Sequence, residues 1–156
     1  SKLIAPAVKQ LAQKRIPLVP ILQPEKCSSP EMIEQLKSFG ADLYVVVAYG
    51  EILSQNLLDS CPHGAINVHF SLLPKYRGAA PFQRAIMNGE IESGVSVIRL
   101  VKKMDAGDIL AIEPFTIPST MTSGELADAL CTLGIQCLFK VLDDFDKGTI
   151  TATVQD

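Results

Sequence analysis

Short, uniformly apolar runs alternate along this chain with stretches whose apolar residues recur every three or four positions, so extended and helical segments follow one another. Behind Pro6, the spacing of Ala7, Val8, Leu11 and Ala12 predicts a short amphipathic helix over 6–14. The apolar stretch 17–22 reads as extended, and Pro17 and Pro20 place it toward a sheet edge. Ser29-Pro30 is a cap followed by a first-turn proline. Met32, Ile33, Leu36 and Phe39 then form an inward stripe, and Gly40 ends the helix. The run 43–48 is apolar throughout, which predicts a strand covered on both faces.

The alternation continues to the last residues. Ser54 can cap a short helix through Leu58, and 64–68 is the next strand. Pro81 opens a helix that Asn88-Gly89 closes, and 94–100 is a further strand. Residues 104–108 form a loop, from which 109–115 returns as a strand. Thr122 and Glu125 have the spacing of a capping box at the start of the longest helix, which runs to about Phe145. A brief last strand is expected over 149–153. Strands alternating with helices imply an α/β domain, a parallel-rich sheet with helices on both sides.

Composition narrows the class. The chain has 156 residues, of which 47% are hydrophobic and 20% charged, as in an ordinary globular domain. Its formal charge of -3 argues against a strongly basic nucleic-acid-binding surface on this domain alone. No apolar run approaches the ~20 residues of a membrane span. Cys27, Cys61, Cys131 and Cys137 show no Cys-x-x-Cys and no paired-histidine spacing, so neither a zinc site nor a disulfide framework is indicated. Cys131 and Cys137 read as small buried apolar residues of the long helix, and a reducing cytosol is the expected setting.

Three places carry candidate chemistry. Asn67, His69 and Ser71 fall on alternate residues, so an extended backbone would point all three to one side. Three polar groups on one face make poor core but a plausible site at the carboxyl edge of an α/β sheet. Tyr49-Gly50 ends the run 43–48, where a glycine lets a backbone approach a ligand closely, or simply turns the chain. Asp105-Ala106-Gly107-Asp108 is a hairpin turn by itself. It also places a carboxylate beside His69 if the strands 64–68 and 94–100 end at one edge. Asn, His and Asp would then supply an oxyanion donor, a polariser and a proton handler. No Gly-x-Ser-x-Gly elbow surrounds Ser71, so the pattern favours direct transfer between two bound substrates over a covalent enzyme intermediate.

Asn67-Val68-His69, followed by Ser71-Leu72-Leu73-Pro74 and Arg77-Gly78, then Asp105 in Asp-Ala-Gly-Asp, resembles the folate-dependent formyltransferase family. Supporting similarity lies in Val45 to Gly50, in Arg77-Gly78-Ala79-Ala80-Pro81 with Gln83-Arg84, in Gly94-Val95-Ser96-Val97, and in Ala5 to Lys9. The resemblance runs over nearly the whole chain and implies an α/β, Rossmann-like formyltransferase fold, its mostly parallel sheet flanked by helices. It implies 10-formyltetrahydrofolate as co-substrate, with no metal. Asn67 and His69 would stabilise the tetrahedral oxyanion, and Asp105 would orient His69 and assist proton transfer. Tyr49, Gly50, Ile52, Ser71, Leu72, Leu73, Pro74 and Gly107 would contact the tetrahydrofolate derivative. The acceptor implied by the Arg77 to Pro81 run is the α-amine of initiator methionyl-tRNA, handled by a cytoplasmic monomer without membrane contact.

Two departures accompany the resemblance. Phe70 stands where the family usually has Gly or Pro. The family pattern also includes an opening strand, a glycine-rich turn and a basic loop ahead of the position of Ser1, and in its tRNA-acting branch a β-barrel domain beyond that of Asp156. Residues 1–156 are therefore expected to be the catalytic-domain portion of such a protein. The rival expectations are a sister enzyme acting on another amine or on water, and an inactive folate-binding fragment. Lys75, Arg77 and the Lys102-Lys103 pair are expected to be solvated loop charges, and His63 an exposed turn residue.

Overall fold

The strand nearest the centre of the molecule is the one with the most fully buried β-branched residues. In a computed structural model, which describes residues 5–16 and 18–156, this is Glu92–Arg99, with Val95, Val97 and Ile98 fully buried. In chain order the elements are α1 (Ala7–Arg15), α2 (Pro30–Ser38), β1 (Tyr44–Val46), α3 (Gln55–Leu58), β2 (Ala65–His69), α4 (Pro81–Met87), β3 (Glu92–Arg99), β4 (Ile109–Thr116) and α5 (Ser123–Asp146). Among the described residues the strands form one sheet in the order β1-β2-β3-β4.

The sheet is mixed. β1 and β2 are parallel, with Val45 opposite Ile66, and α3 lies in the connection between them. β2 and β3 are antiparallel, Asn67 facing Ile98 and His69 facing Ser96. After β2 the chain runs through α4 and re-enters the sheet from the end it left, which reverses the strand direction. β3 and β4 form an antiparallel hairpin with an irregularity at Val97/Ile98.

The helix α5 closes one face of this sheet. Leu126, Leu130, Gly134, Cys137 and Val141 recur at helical spacing and are its buried residues. They pack on Ile66, Val68, Val95 and Val97, forming the main core. Gly134 is needed for the close approach: a Cβ there would sit 3.2 Å from both Phe70 Cε1 and Val68 Cγ1. The Cys137 thiol, buried against this core, is pushed up to about 11 chiefly by loss of water and then by the Glu113 carboxylate.

The expected capping box starts α5. Thr122 Oγ1 accepts from the Glu125 amide, and Glu125 Oε2 accepts from the Thr122 amide at 2.8 Å. Bonds from the Thr122 amide and hydroxyl hold the Glu125 carboxyl below its ordinary range. Removing the cap in Thr122→Ala is expected to cost about 1 kcal/mol of stability in urea unfolding, without changing the site. Equal stability of the variant would show that the cap contributes nothing to α5.

Four expectations are corrected. Pro17 lies outside the described residues; Leu18 and Val19 are exposed, and 18–22 joins no sheet ladder, since two prolines in six positions remove ladder donors. The run 43–48 forms only the three-residue β1, and Val45 and Val47 are about half exposed. β1 has one ladder neighbour among the described residues, and at Ala48 the backbone turns to a φ of 49°. The expected strand 149–153 is reduced to one bridge between Thr153 and Ile109, because Thr149 is drawn back onto the Asp144 carbonyl at the end of α5. Apolar stripes also pack less than their spacing suggests. α1 has no buried residue, Phe39 is exposed beyond the last turn of α2, and Cys131 lies on the exposed side of α5.

Candidate active site

Because β2 is extended, Asn67 and His69 leave its backbone on one side, while Val68 turns into the core beneath α5. His69 is only 6% exposed and Asn67 is half-buried. The strand ends at His69, and the backbone then folds into a loop rather than continuing straight. Ser71 consequently leaves the line of Asn67 and His69. Its buried hydroxyl donates to the Lys75 carbonyl at 2.6 Å, and its carbonyl accepts from Ser96 Oγ at 2.7 Å. Ser96 Oγ in turn accepts from the Leu73 amide at 3.1 Å. The segment 71–74 is thus stitched to β3 as a frame.

That frame fixes the next residues. Tyr76 has a φ of 57°, and its carbonyl oxygen faces His69 Nε2 at 2.9 Å. A carbonyl only accepts, so Nε2 carries a hydrogen in this arrangement. The Tyr76 hydroxyl donates to Glu90 Oε1 at 2.7 Å and accepts from Asn88 Nδ2 at 3.0 Å, anchoring the loop to the end of α4. First the Tyr76 hydroxyl, then the charge of Lys75, holds the Glu90 carboxyl below its ordinary range.

The loop between β3 and β4 brings Asp105 to the same place. Its φ is 47°, in the left-handed region that Asp tolerates better than most residues. Asp105 Oδ2 lies 3.6 Å from His69 Nδ1 and accepts from the Gly78 amide at 2.8 Å. Its Oδ1 is 3.4 Å from Asn67 Nδ2, a long bond that leaves the second amide hydrogen free to point elsewhere. A carboxylate 12% exposed, an imidazole and an amide therefore converge from two different strand ends.

These three residues form part of the wall of a cavity of about 560 Å³. Residues 46–53, 67–70, 78–83, 100–102 and 104–105 line it, and most of that lining is apolar. Tyr49, Gly50 and Ile52 are on the lining as well. The Tyr49 hydroxyl is pushed up to about 12, first by its hydrogen bond with the Cys27 side chain and then by partial burial, so it remains a neutral phenol. Ser71, Leu72, Leu73, Pro74 and Gly107 are not on the lining of this cavity. Leu73 is buried, Leu72 packs against Gly94, and Gly107 lies against the Arg99 backbone.

Chemically, this arrangement offers hydrogen-bond donors and a proton acceptor in a mostly apolar enclosure. The lining contains no serine, threonine or cysteine, and the Ser71 hydroxyl is committed to Lys75. No cluster of three or more metal-binding side chains occurs among the described residues. The sequence reading did not identify the Tyr76 carbonyl, since a backbone atom leaves no residue-type signal; nor did it identify the apolar wall from Phe82, Val101 and Met104. Among the outlying charges, Lys75 is largely exposed beside Glu90, Lys102 and Lys103 are exposed, and Arg77 is bonded to Gln155. His63 is exposed in a turn, with its ring 5.5 Å from that of Phe145.

Comparison with known proteins follows the same lines. Residues 2–142 match the formyl transferase family. The methionyl-tRNA formyltransferase of Protochlamydia amoebophila is 51% identical over 138 residues, covering 88% of this chain and 43% of that protein. That of Chlamydia abortus is 49% identical over 156 residues, covering 100% of this chain and 48% of the relative. The chain thus spans about half the length of the curated relatives it matches. Among solved structures, phosphoribosylglycinamide formyltransferase from Bacillus halodurans superposes with a TM-score of 0.79 at 23% identity, over 90% of this chain and 76% of that one. HypX from Aquifex aeolicus in complex with tetrahydrofolic acid gives 0.72 at 22% identity, over 80% of this chain and 22% of that one. These two likenesses show a shared fold.

Proposed function

This chain belongs to the formyl transferase family, and from that premise we propose that it is the catalytic domain of an enzyme that formylates the α-amine of initiator methionyl-tRNA in the cytoplasm. The observation that carries the proposal is the convergence of Asn67, His69 and Asp105 on one wall of the 560 Å³ cavity. Identity near 50% to methionyl-tRNA formyltransferases favours that acceptor over other amines.

10-Formyltetrahydrofolate supplies the formyl carbon. The amine forms a new C–N bond to it, the bond to the folate nitrogen breaks, and one proton passes from the amine to that nitrogen. Asn67 has one amide hydrogen outside its long bond to Asp105, and it donates this to the oxygen that becomes negative. With its Nε2 hydrogen held by the Tyr76 carbonyl, His69 stabilises the same oxygen through a proton on Nδ1, the edge of the ring that Asp105 faces. Asp105 also receives the amine proton, directly or through a water, and returns it to the leaving nitrogen. The apolar lining near Tyr49, Gly50 and Ile52 accommodates the flat pterin and excludes water that would otherwise compete for the formyl group. Residues 71–74 and Gly107 act in this scheme by holding the loops.

Transfer of labelled formyl from 10-formyltetrahydrofolate tests the reading in the complete protein, with methionyl-tRNA, a sugar amine, a ribonucleotide amine and water compared as acceptors. Formyl-methionyl-tRNA is the expected product. Efficient transfer to one of the small amines, or release of formate alone, would replace this acceptor with another.

A further inference from the structure

The Asp105 loop is held from behind by a residue that no part of the cavity contains. Gln155 Nε2 donates to two carbonyls of that loop, Asp105 at 3.0 Å and Gly107 at 2.6 Å. Gln155 Oε1 accepts from Arg77 Nε at 3.1 Å and Arg77 Nη2 at 2.8 Å. Both amide hydrogens and the oxygen of this side chain are thereby engaged. Arg77 directly precedes Gly78, whose amide donates to Asp105 Oδ2. One side chain therefore joins the two loops that hold the carboxylate, one through its backbone and the other through Gly78. The segment bearing Gln155 is itself fastened to the start of β4, where Thr153 and Ile109 exchange two backbone bonds of 2.8 Å.

We infer that Gln155 is a positioning residue for Asp105, setting the distance between the carboxylate and the His69 ring. The inference rests on the formyl-transfer reading above. Asp105 needs such support because its left-handed backbone is intrinsically unfavourable and because its 3.6 Å separation from Nδ1 leaves little tolerance. Alanine at 155 removes all four bonds. Glutamate keeps the length but sets a carboxylate against the carbonyls of Asp105 and Gly107, while retaining Arg77.

The test compares wild type, Gln155→Ala and Gln155→Glu in the complete protein. It measures kcat, KM for 10-formyltetrahydrofolate, thermal unfolding, and the titration of the His69 ring by NMR, assigned with His69→Ala. We expect kcat to fall about ten- to a hundredfold in both variants, as for a small misplacement of a reacting group, with KM little changed and a moved His69 titration midpoint. A wild-type kcat, an unmoved midpoint, or a kcat loss that only follows the unfolded fraction would each overturn it. If the wild type formylates no acceptor, the reading above fails separately, and the NMR midpoint alone decides the role of Gln155.

Discussion

His69→Ala is expected to lower the turnover of formyl transfer on the order of a hundredfold or more, while 10-formyltetrahydrofolate still binds. The argument starts from what the ring touches. His69 stands between the Tyr76 carbonyl, 2.9 Å from Nε2, and Asp105 Oδ2, 3.6 Å from Nδ1. Alanine removes the Nδ1 donor proposed for the developing oxyanion and leaves Asp105 with no ring to orient. Preorganised donors of this kind contribute roughly 3–4 kcal/mol each where they have been removed from other enzymes. The apolar wall that would contact the folate ring is not altered, so the donor's KM should change little. Asp105→Ala should add little to the loss in a His69→Ala background, because the two act as one unit. Near-normal turnover of His69→Ala in rapid-quench assays would remove His69 from the mechanism. A loss that only follows the unfolded fraction would assign it a structural role.

The readable parts of this protein are the local ones. Ser29, Ser54 and Thr122 each accept a backbone amide at the start of a helix, as expected from residue type and spacing alone. Asn67 and His69 share a face because strand alternation requires no information from elsewhere in the chain. Ser71 was the limit of that rule: period two holds only while the backbone stays extended, and it bends immediately after His69. Asp105 beside His69 was expected on the condition that two strands end at one edge; β2 and β3 are antiparallel, with Arg99 facing Ile66, so they end at opposite edges, and it is the loop after β3 that carries the carboxylate to His69. The apolar run 43–48 looked doubly buried because composition reports hydrophobicity and not how many neighbours a strand has. Gln155 carried no signal. Its role depends on bonds to residues 78, 50 and 48 positions away, which no local pattern encodes.

Gly107→Ala separates a ligand contact from a packing constraint, and the expected loss is of both stability and activity. A Cβ at this position would land on the Arg99 carbonyl oxygen, well inside van der Waals contact, and 2.8 Å from its carbonyl carbon. These are backbone atoms of β3, fixed further by the bond from the Arg99 amide to the Asp108 carbonyl at 2.9 Å. No side-chain rotation can relieve the clash, so the 104–108 loop must lift from the sheet. Overpacking against rigid backbone costs roughly 3 kcal/mol. The same movement weakens the Gln155 bond to the Gly107 carbonyl and carries Asp105, two residues away, off the His69 ring. Displacement of a reacting group by about 1 Å lowers turnover on the order of a hundredfold. Urea unfolding and kcat should therefore fall together. If Gly107 instead served by letting folate approach its backbone, the variant would keep its stability and kcat and show only a raised KM for the donor, and the packing account would be wrong.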